Sequence, residues 1–107
     1  MADESILTRL EQTLASRAGG DPETSYVAKL HARGLPVIAR KLGEEATEAV
    51  VAALSGSREE LTGEAADVIF HLLVLLGAKG IALADVLAEL ERREGTSGIA
   101  EKAARTS

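Results

Sequence analysis

Residues 58–79 read Arg-Glu-Glu-Leu-Thr-Gly-Glu-Ala-Ala-Asp-Val-Ile-Phe-His-Leu-Leu-Val-Leu-Leu-Gly-Ala-Lys, and this stretch decides the fold. The spacing of its apolar residues predicts one long helix that ends at Gly80. From Val68 onward the helix is apolar nearly all round, which is typical of a helix buried on more than one side. Because the chain has few other helices to cover it, the pattern predicts a homodimer built on this segment.

The rest of the chain has the composition of a helical protein. Ala, Leu, Glu, Arg and Lys dominate, aromatic residues make up 2% of the chain, and alternating β-branched runs are nearly absent. Breaks that contain glycine separate the helical stretches. The predicted helices lie at about residues 3–17, between a Ser25 cap and Gly34, and at 36–54, 58–79 and 83–93. We therefore predict an all-α bundle of four to five helices that dimerisation completes.

Length and charge restrict the function further. A chain of 107 residues forms one domain, which we place at residues 1–94, with a small, polar tail at 95–107. The absence of cysteine excludes a disulfide scaffold and thiolate metal sites. A net charge of −5 disfavours nucleic-acid and membrane binding. The amphipathic N-terminal segment is no secretory signal, so we expect a cytoplasmic protein.

Two pairs of acids lie on the two central helices. Glu45 and Glu48 are three residues apart, as are Glu64 and Asp67, and such residues are neighbours on a helix. If the helices pack antiparallel through the short connection at 55–57, the pairs face each other and repel unless a cation neutralises them. Oxygen ligands favour Mg²⁺ or Mn²⁺, which would also bind phosphates and promote phosphoanhydride hydrolysis. Acid pairs are also common on solvated faces, so the spacing alone leaves both interpretations open.

Several motifs resemble known enzymes. The pattern Glu45-Ala-Thr-Glu48 followed by Glu64-Ala-Ala-Asp67 resembles the E-x-x-E…E-x-x-D signature of the all-α, MazG-like nucleotide pyrophosphohydrolases. Over about residues 7–105 the chain resembles, within that superfamily, the phosphoribosyl-ATP pyrophosphohydrolases of histidine biosynthesis. The stretches that carry this closer resemblance are Lys41-Leu-Gly-Glu-Glu-Ala-Thr-Glu48, Ser25-Tyr-Val-Ala-Lys-Leu30, the run from Glu64 to Leu76 and Ser97-Gly-Ile-Ala-Glu-Lys102.

The resemblance implies an activity and roles for the acids. It implies Mg²⁺-dependent cleavage, with Mn²⁺ as a substitute, of 1-(5-phosphoribosyl)-ATP to 1-(5-phosphoribosyl)-AMP and pyrophosphate. This is the second step of histidine biosynthesis. The metal ligands that it implies are Glu45, Glu48, Glu64 and Asp67. Glu44 would join Glu45 and Glu48 as a catalytic residue, either as a further ligand or as the base that orients water.

Basic residues are needed to bind such a substrate. Lys41 shares the acidic edge of its helix, and Lys29 lies in one of the matching stretches. Arg33 and Lys102 are further candidates, the latter if residues 97–105 fold over the site. For each of them the alternative is an ordinary solvated charge.

Two other side chains allow two interpretations each. His71 lies one turn after Asp67 and either donates a hydrogen bond to an acid or packs in the core. Tyr26 either stacks on the adenine or packs in the core.

Two other functions compete with this one. A house-cleaning nucleoside triphosphate pyrophosphohydrolase of the same superfamily would share the acids but not the Ser25–Leu30 stretch or the Ser-Gly-Ile tail. A non-catalytic helical oligomerisation module would carry the acids only as a solvated strip.

Overall fold

A computed structural model describes residues 4–106 as six α-helices, and this part of the chain contains no strand. The helices are α1 (Glu4–Arg17), α2 (Tyr26–Arg33), α3 (Leu35–Ser55), α4 (Arg58–Ala78), α5 (Leu83–Arg93) and α6 (Gly98–Thr106). The all-α prediction is confirmed, and α1 to α5 lie where the sequence predicted them. Asp3, the predicted first residue of α1, lies outside the described residues.

Local capping explains where the central helices begin and end. Ser25 Oγ accepts a hydrogen bond from the Ala28 amide at 3.1 Å and starts α2, and Gly34 ends it with a φ of 98°. At α4, Ser57 and Glu60 form a capping box in which each side chain accepts the other's backbone N–H. A Cβ on Gly56 would lie 3.0 Å from the Ala52 carbonyl oxygen. The tight connection between α3 and α4 therefore requires glycine.

The long helices α3 and α4 form an antiparallel hairpin, against which the other helices pack. α1 lies mainly on α4 and α2 lies mainly on α3. The hydrophobic core between them consists of Leu14, Val27, Leu30, Ile38, Leu73, Val74 and Leu83. The core thus forms around the second half of α4, as its continuous apolar run predicted.

The face of α3 that meets α4 is narrower than its sequence periodicity predicts. That periodicity predicts an apolar stripe made of Ile38, Leu42, Ala46, Ala49, Val50 and Ala53. The buried residues of α3 are Ile38, Glu45 and Ala52, each seven positions apart, which is the spacing of a helix packed closely along a partner. Ala46 and Ala53, which the periodicity had placed in the stripe, are exposed. Glu45 therefore lies in the contact between the two helices and not beside it.

Apolar side chains remain exposed on the hairpin of the single chain. Val50, Val51 and Leu54 are exposed on α3, as are Ile69 and Leu72 on α4. By length and mean hydropathy α4 also qualifies as a candidate membrane span, a profile that core helices of soluble proteins share. The hairpin thus presents an apolar surface that no other described part of the chain covers.

A side-chain oxygen accepts a backbone N–H near the start of each of the last two helices. The Leu83 amide at the start of α5 donates a 2.7 Å hydrogen bond to the Glu11 carboxylate of α1, which takes the place of a capping side chain. α6 was not predicted and lies inside the segment expected to be a tail. It begins after Ser97, whose hydroxyl accepts a hydrogen bond from the Ala100 amide at 3.1 Å.

Candidate active site

Three of the predicted metal ligands meet across the α3–α4 hairpin. Glu48 lies eight residues before Gly56 and Glu64 lies seven residues after Ser57, so the hairpin brings them to the same level. Glu45 lies one turn further along α3. Each of the three acids offers a carboxylate oxygen, and these oxygens lie within 4.8 Å of one another. The antiparallel packing predicted from the short connection therefore forms an acidic cluster of Glu45, Glu48 and Glu64.

The cluster is electrostatically unfavourable without a cation. Glu64 Oε2 is buried and has no hydrogen-bond partner among the described residues. Burial raises the pKa of the Glu64 carboxyl, and the carboxylates of Glu48, Asp67 and Glu45 raise it further. Glu45 itself is only 9% exposed. The fold thus holds like charges together around a buried acceptor that no protein donor satisfies.

This donor set fits a hard divalent cation. The converging atoms are all carboxylate oxygens, the ligands that Mg²⁺ and Mn²⁺ prefer. A cation would contact the unpaired Glu64 oxygen and offset the repulsion among the acids. The surface beside the cluster is open, since Glu48 and Glu64 line a shallow groove that also contains Glu60 and Ser55. A phosphate group can therefore reach the acids from solvent.

Asp67, the fourth predicted ligand, lies beside the cluster and not within it. Its side chain is exposed and is shorter than that of glutamate, so its carboxylate does not join the three converging oxygens. It still acts on the Glu64 carboxyl through its charge. Asp67 therefore adds to the negative electrostatic potential at the acidic cluster.

Glu44 faces cations instead of the other acids. Its carboxylate lies 3.4 Å from Lys41 Nζ and 3.5 Å from Arg40 Nε. Lys41 Nζ also approaches Glu45 Oε1 at 3.9 Å. The hydrogen bond to Glu44 is the largest cause of the raised pKa of Lys41, and the electrostatic interaction with Tyr26 is the next. Lys41 therefore stays charged and lies at the edge of the acidic cluster, as its position in the sequence predicted.

The other predicted binding residues lie further out. Lys29 and Arg33 are exposed on α2, four residues apart and hence on one face. Lys102 is exposed on α6. Among the described residues, neither Lys29 nor Arg33 forms an ion pair or a hydrogen bond with the clustered acids.

An unpredicted hydrogen-bonded pair lies next to the acids. His71 Nδ1 lies 2.7 Å from the Asp67 carbonyl oxygen, and His71 Nε2 lies 2.9 Å from the Tyr26 hydroxyl. Because a carbonyl oxygen only accepts, Nδ1 is the donor, and a neutral ring then accepts the Tyr26 hydroxyl hydrogen at Nε2. The spacing of Asp67 and His71 indicated a contact, but to the carboxylate. The sequence singled out Tyr26 as well, but no sequence signal indicated that it is the hydrogen-bond partner of His71.

A separate cavity lies elsewhere in the described part of the chain. It has a volume of about 470 Å³ and is lined mainly by apolar residues of α1 and α4, with His31 at its edge. None of the clustered acids lines it, so it is separate from the candidate active site.

Comparisons with known proteins show which family the chain resembles. A family model described as phosphoribosyl-ATP pyrophosphohydrolase matches residues 7–94. The phosphoribosyl-ATP pyrophosphatase of Novosphingobium aromaticivorans is 68% identical over 102 residues, which cover 95% of each chain. Those of Erythrobacter litoralis and Rhizorhabdus wittichii are 66% and 65% identical over 99 residues, covering 92% of this chain and 95% and 93% of theirs.

Proposed function

The chain belongs to the phosphoribosyl-ATP pyrophosphohydrolase family and is a hydrolase, and we propose that it cleaves 1-(5-phosphoribosyl)-ATP in histidine biosynthesis. The bond broken is the α–β phosphoanhydride, and the products are 1-(5-phosphoribosyl)-AMP and pyrophosphate. The observation that carries the chemistry is the convergence of three carboxylates around the buried, unpaired Glu64 oxygen. Identity of 68% over 95% of a relative's length supports the choice of substrate.

The acids hold the divalent ion in this proposal. Glu45, Glu48 and Glu64 are ligands, and Asp67, three residues after Glu64 on α4, would turn its exposed carboxylate toward the ion as the fourth. When bound, Mg²⁺ or its substitute Mn²⁺ neutralises phosphate charge and increases the acidity of water.

The neighbouring side chains move the proton and bind phosphate. Glu44 and Glu48 border an open depression on α3, where either carboxylate can accept a proton from the attacking water. Lys41, fixed between Glu44 and Glu45, neutralises a phosphate oxygen. Lys29 and Arg33 extend the positive charge along α2, and the exposed Lys102 of α6 is a further cation for the substrate in this proposal. In each case a cation offsets charge on the triphosphate or the ribose phosphate.

A substrate panel tests the reaction. Purified protein with Mg²⁺ should release pyrophosphate from phosphoribosyl-ATP far faster than from dCTP or dUTP. Pyrophosphate release, followed with a coupled colour assay, measures all three substrates in the same way. Good turnover of dCTP or dUTP with none of phosphoribosyl-ATP would assign the chain to general nucleotide hydrolysis instead.

We also propose a cytoplasmic homodimer that binds neither membrane nor nucleic acid. The apolar residues exposed on α3 and α4 form the interface, because a second hairpin would cover Val50, Leu54, Ile69 and Leu72 together. The net charge of −5 opposes binding to anionic lipid or nucleic acid.

Sedimentation equilibrium tests this assembly. The mass should be twice the 11.2 kDa of one chain, and Ile69→Lys should weaken the association by burying a charge. A monomer at micromolar concentration, or a detergent requirement for solubility, would contradict the dimer.

A further inference from the structure

The aromatic residues of the chain gather beside the candidate active site. The chain contains one Tyr, one Phe and no Trp. Tyr26 of α2 and Phe70 of α4 are stacked, with ring centroids 6.2 Å apart and an interplanar angle of 25°. His71 meets both rings edge-on, at 5.8 Å from Tyr26 and 5.2 Å from Phe70. Three rings from two helices therefore form one aromatic cluster.

The rings of the aromatic cluster differ in solvent exposure: His71 is buried and Tyr26 is accessible. His71 is 6% exposed, whereas Tyr26 is 47% exposed. The Tyr26 hydroxyl is nevertheless fixed, because it lies 2.9 Å from the buried His71 Nε2. Tyr26 therefore has an exposed ring, while α4 contacts its hydroxyl through His71 and its ring through Phe70.

The same hydrogen bonds place Tyr26 near the acids. His71 Nδ1 donates to the carbonyl oxygen of Asp67, which lies three residues after Glu64. The Tyr26 hydroxyl is thus two hydrogen bonds away from the backbone of a residue beside the acidic cluster.

We propose that the exposed ring of Tyr26 stacks on the purine of the nucleotide substrate, and that His71 is the positioning residue that holds the ring in place. This inference rests on the proposed function, which requires the enzyme to bind an adenine ring. Flat bases bind to aromatic faces in proteins through stacking. Phe70 is half-buried behind Tyr26, so the chain's other large aromatic ring is less accessible.

Fluorescence tests the stacking directly. Because the chain has one Tyr and no Trp, its ultraviolet emission reports on Tyr26 alone. Adenosine monophosphate should quench this emission saturably, after correction for its absorbance, whereas ribose 5-phosphate, which lacks the base, should not. Equal responses to the two ligands, or no response to either, would overturn the proposal. The measurement requires no turnover, so it is independent of the assay for the proposed function.

Kinetics of Tyr26 variants test its role in binding. Tyr26→Leu should raise the KM for phosphoribosyl-ATP about ten- to a hundredfold, the range expected for one lost base stack, with kcat within a few-fold of the original. Tyr26→Phe retains the ring and should show a much smaller rise in KM. An unchanged KM in Tyr26→Leu overturns this inference and leaves the proposed reaction standing. Absence of turnover of phosphoribosyl-ATP by the unmodified enzyme would contradict the proposed reaction, and it would leave the stacking of Tyr26 to the fluorescence measurement.

A matched pair of His71 variants tests positioning. The amide of His71→Gln can replace Nε2 and accept the Tyr26 hydroxyl, whereas the shorter His71→Asn reaches only the position of Nδ1. We expect His71→Asn to raise KM several-fold and to weaken quenching by adenosine monophosphate, and His71→Gln to restore both. His31→Asn, at the separate cavity, is the control. Equal KM and quenching in both His71 variants would contradict the positioning role.

Discussion

Glu64→Gln is expected to reduce turnover of phosphoribosyl-ATP by at least two orders of magnitude while leaving the Tm level or raising it. The loss of activity follows from removing a charged ligand at the centre of the acidic cluster. Even residues that only support metal ligands typically cost about 10–100-fold when they are replaced, so a ligand should cost more. Steady-state pyrophosphate release and thermal denaturation of the same preparations provide the two measurements.

The effect on stability has a definite sign. Because the pKa of Glu64 is raised above its ordinary value of 4.5, the folded state binds a proton more readily than the unfolded state. The free energy of unfolding of the metal-free protein therefore falls as the pH rises from 4.5 through the raised pKa. Glutamine is neutral throughout and keeps the shape of the side chain. The variant should lose this part of the pH dependence and be at least as stable at neutral pH.

A matched control separates the site from a general effect of charge. Glu91→Gln removes the same charge from an exposed position of α5 and should retain full activity. If Glu64→Gln is as active as Glu91→Gln, the acidic cluster is not the catalytic site. If it is inactive but strongly destabilised, Glu64 supports the fold and the proposed metal site loses its main argument.

The contrast between Glu44 and Glu45 shows what the sequence could predict about the site. The spacing of the acid pairs predicted that the acids would cluster, because residues three apart are neighbours on any helix. Which of two adjacent glutamates faces α4 depends on how the hairpin is rotated, and an apolar stripe of small alanines specifies that rotation poorly. The structure turns Glu45 into the contact and leaves Glu44 with Arg40 and Lys41.

Helix boundaries were more predictable than tertiary contacts. Ser25, Gly34 and Gly80 mark ends through local chemistry, capping or positive φ, and local chemistry can be read from the sequence. The pair formed by Tyr26 and His71 joins residues 45 positions apart. Such a contact depends on the packing of α2 against the hairpin, so no local pattern could reveal it.

The net charge of the chain is a poor guide to its ligand, because it does not show where the acidic residues lie. A total of 17 acidic residues against 12 basic ones suggests that a polyphosphate would be repelled. Three of those acids converge within 4.8 Å, where a bound divalent ion would offset most of their negative charge and would itself attract phosphate. The acid excess then favours a phosphate-bearing substrate at this one place, while the rest of the surface still disfavours nucleic acid.

Mg²⁺ is expected to stabilise the protein, and its removal is expected to abolish activity. A ligand that binds only the folded state adds RT ln(1 + [L]/Kd) to the free energy of unfolding. At about five times Kd this amounts to roughly 1 kcal/mol, which raises the Tm of a domain of this size by roughly 4–8 °C. Dialysis against a chelator should remove both turnover and the rise in Tm, and added Mg²⁺ or Mn²⁺ should restore them.

The specificity of this stabilisation decides between a metal site and simple charge screening. NaCl at equal ionic strength weakens repulsion among surface acids, but it provides no ion that three carboxylates at 4.8 Å can chelate. The rise in Tm should therefore be far larger with Mg²⁺ than with NaCl in the unmodified protein and in Glu91→Gln. It should be nearly absent in Glu64→Gln, because a neutral amide replaces the charged carboxylate that would bind the ion. Equal stabilisation by the two salts would mean that the cluster binds no metal, and the proposed mechanism would then have to be abandoned.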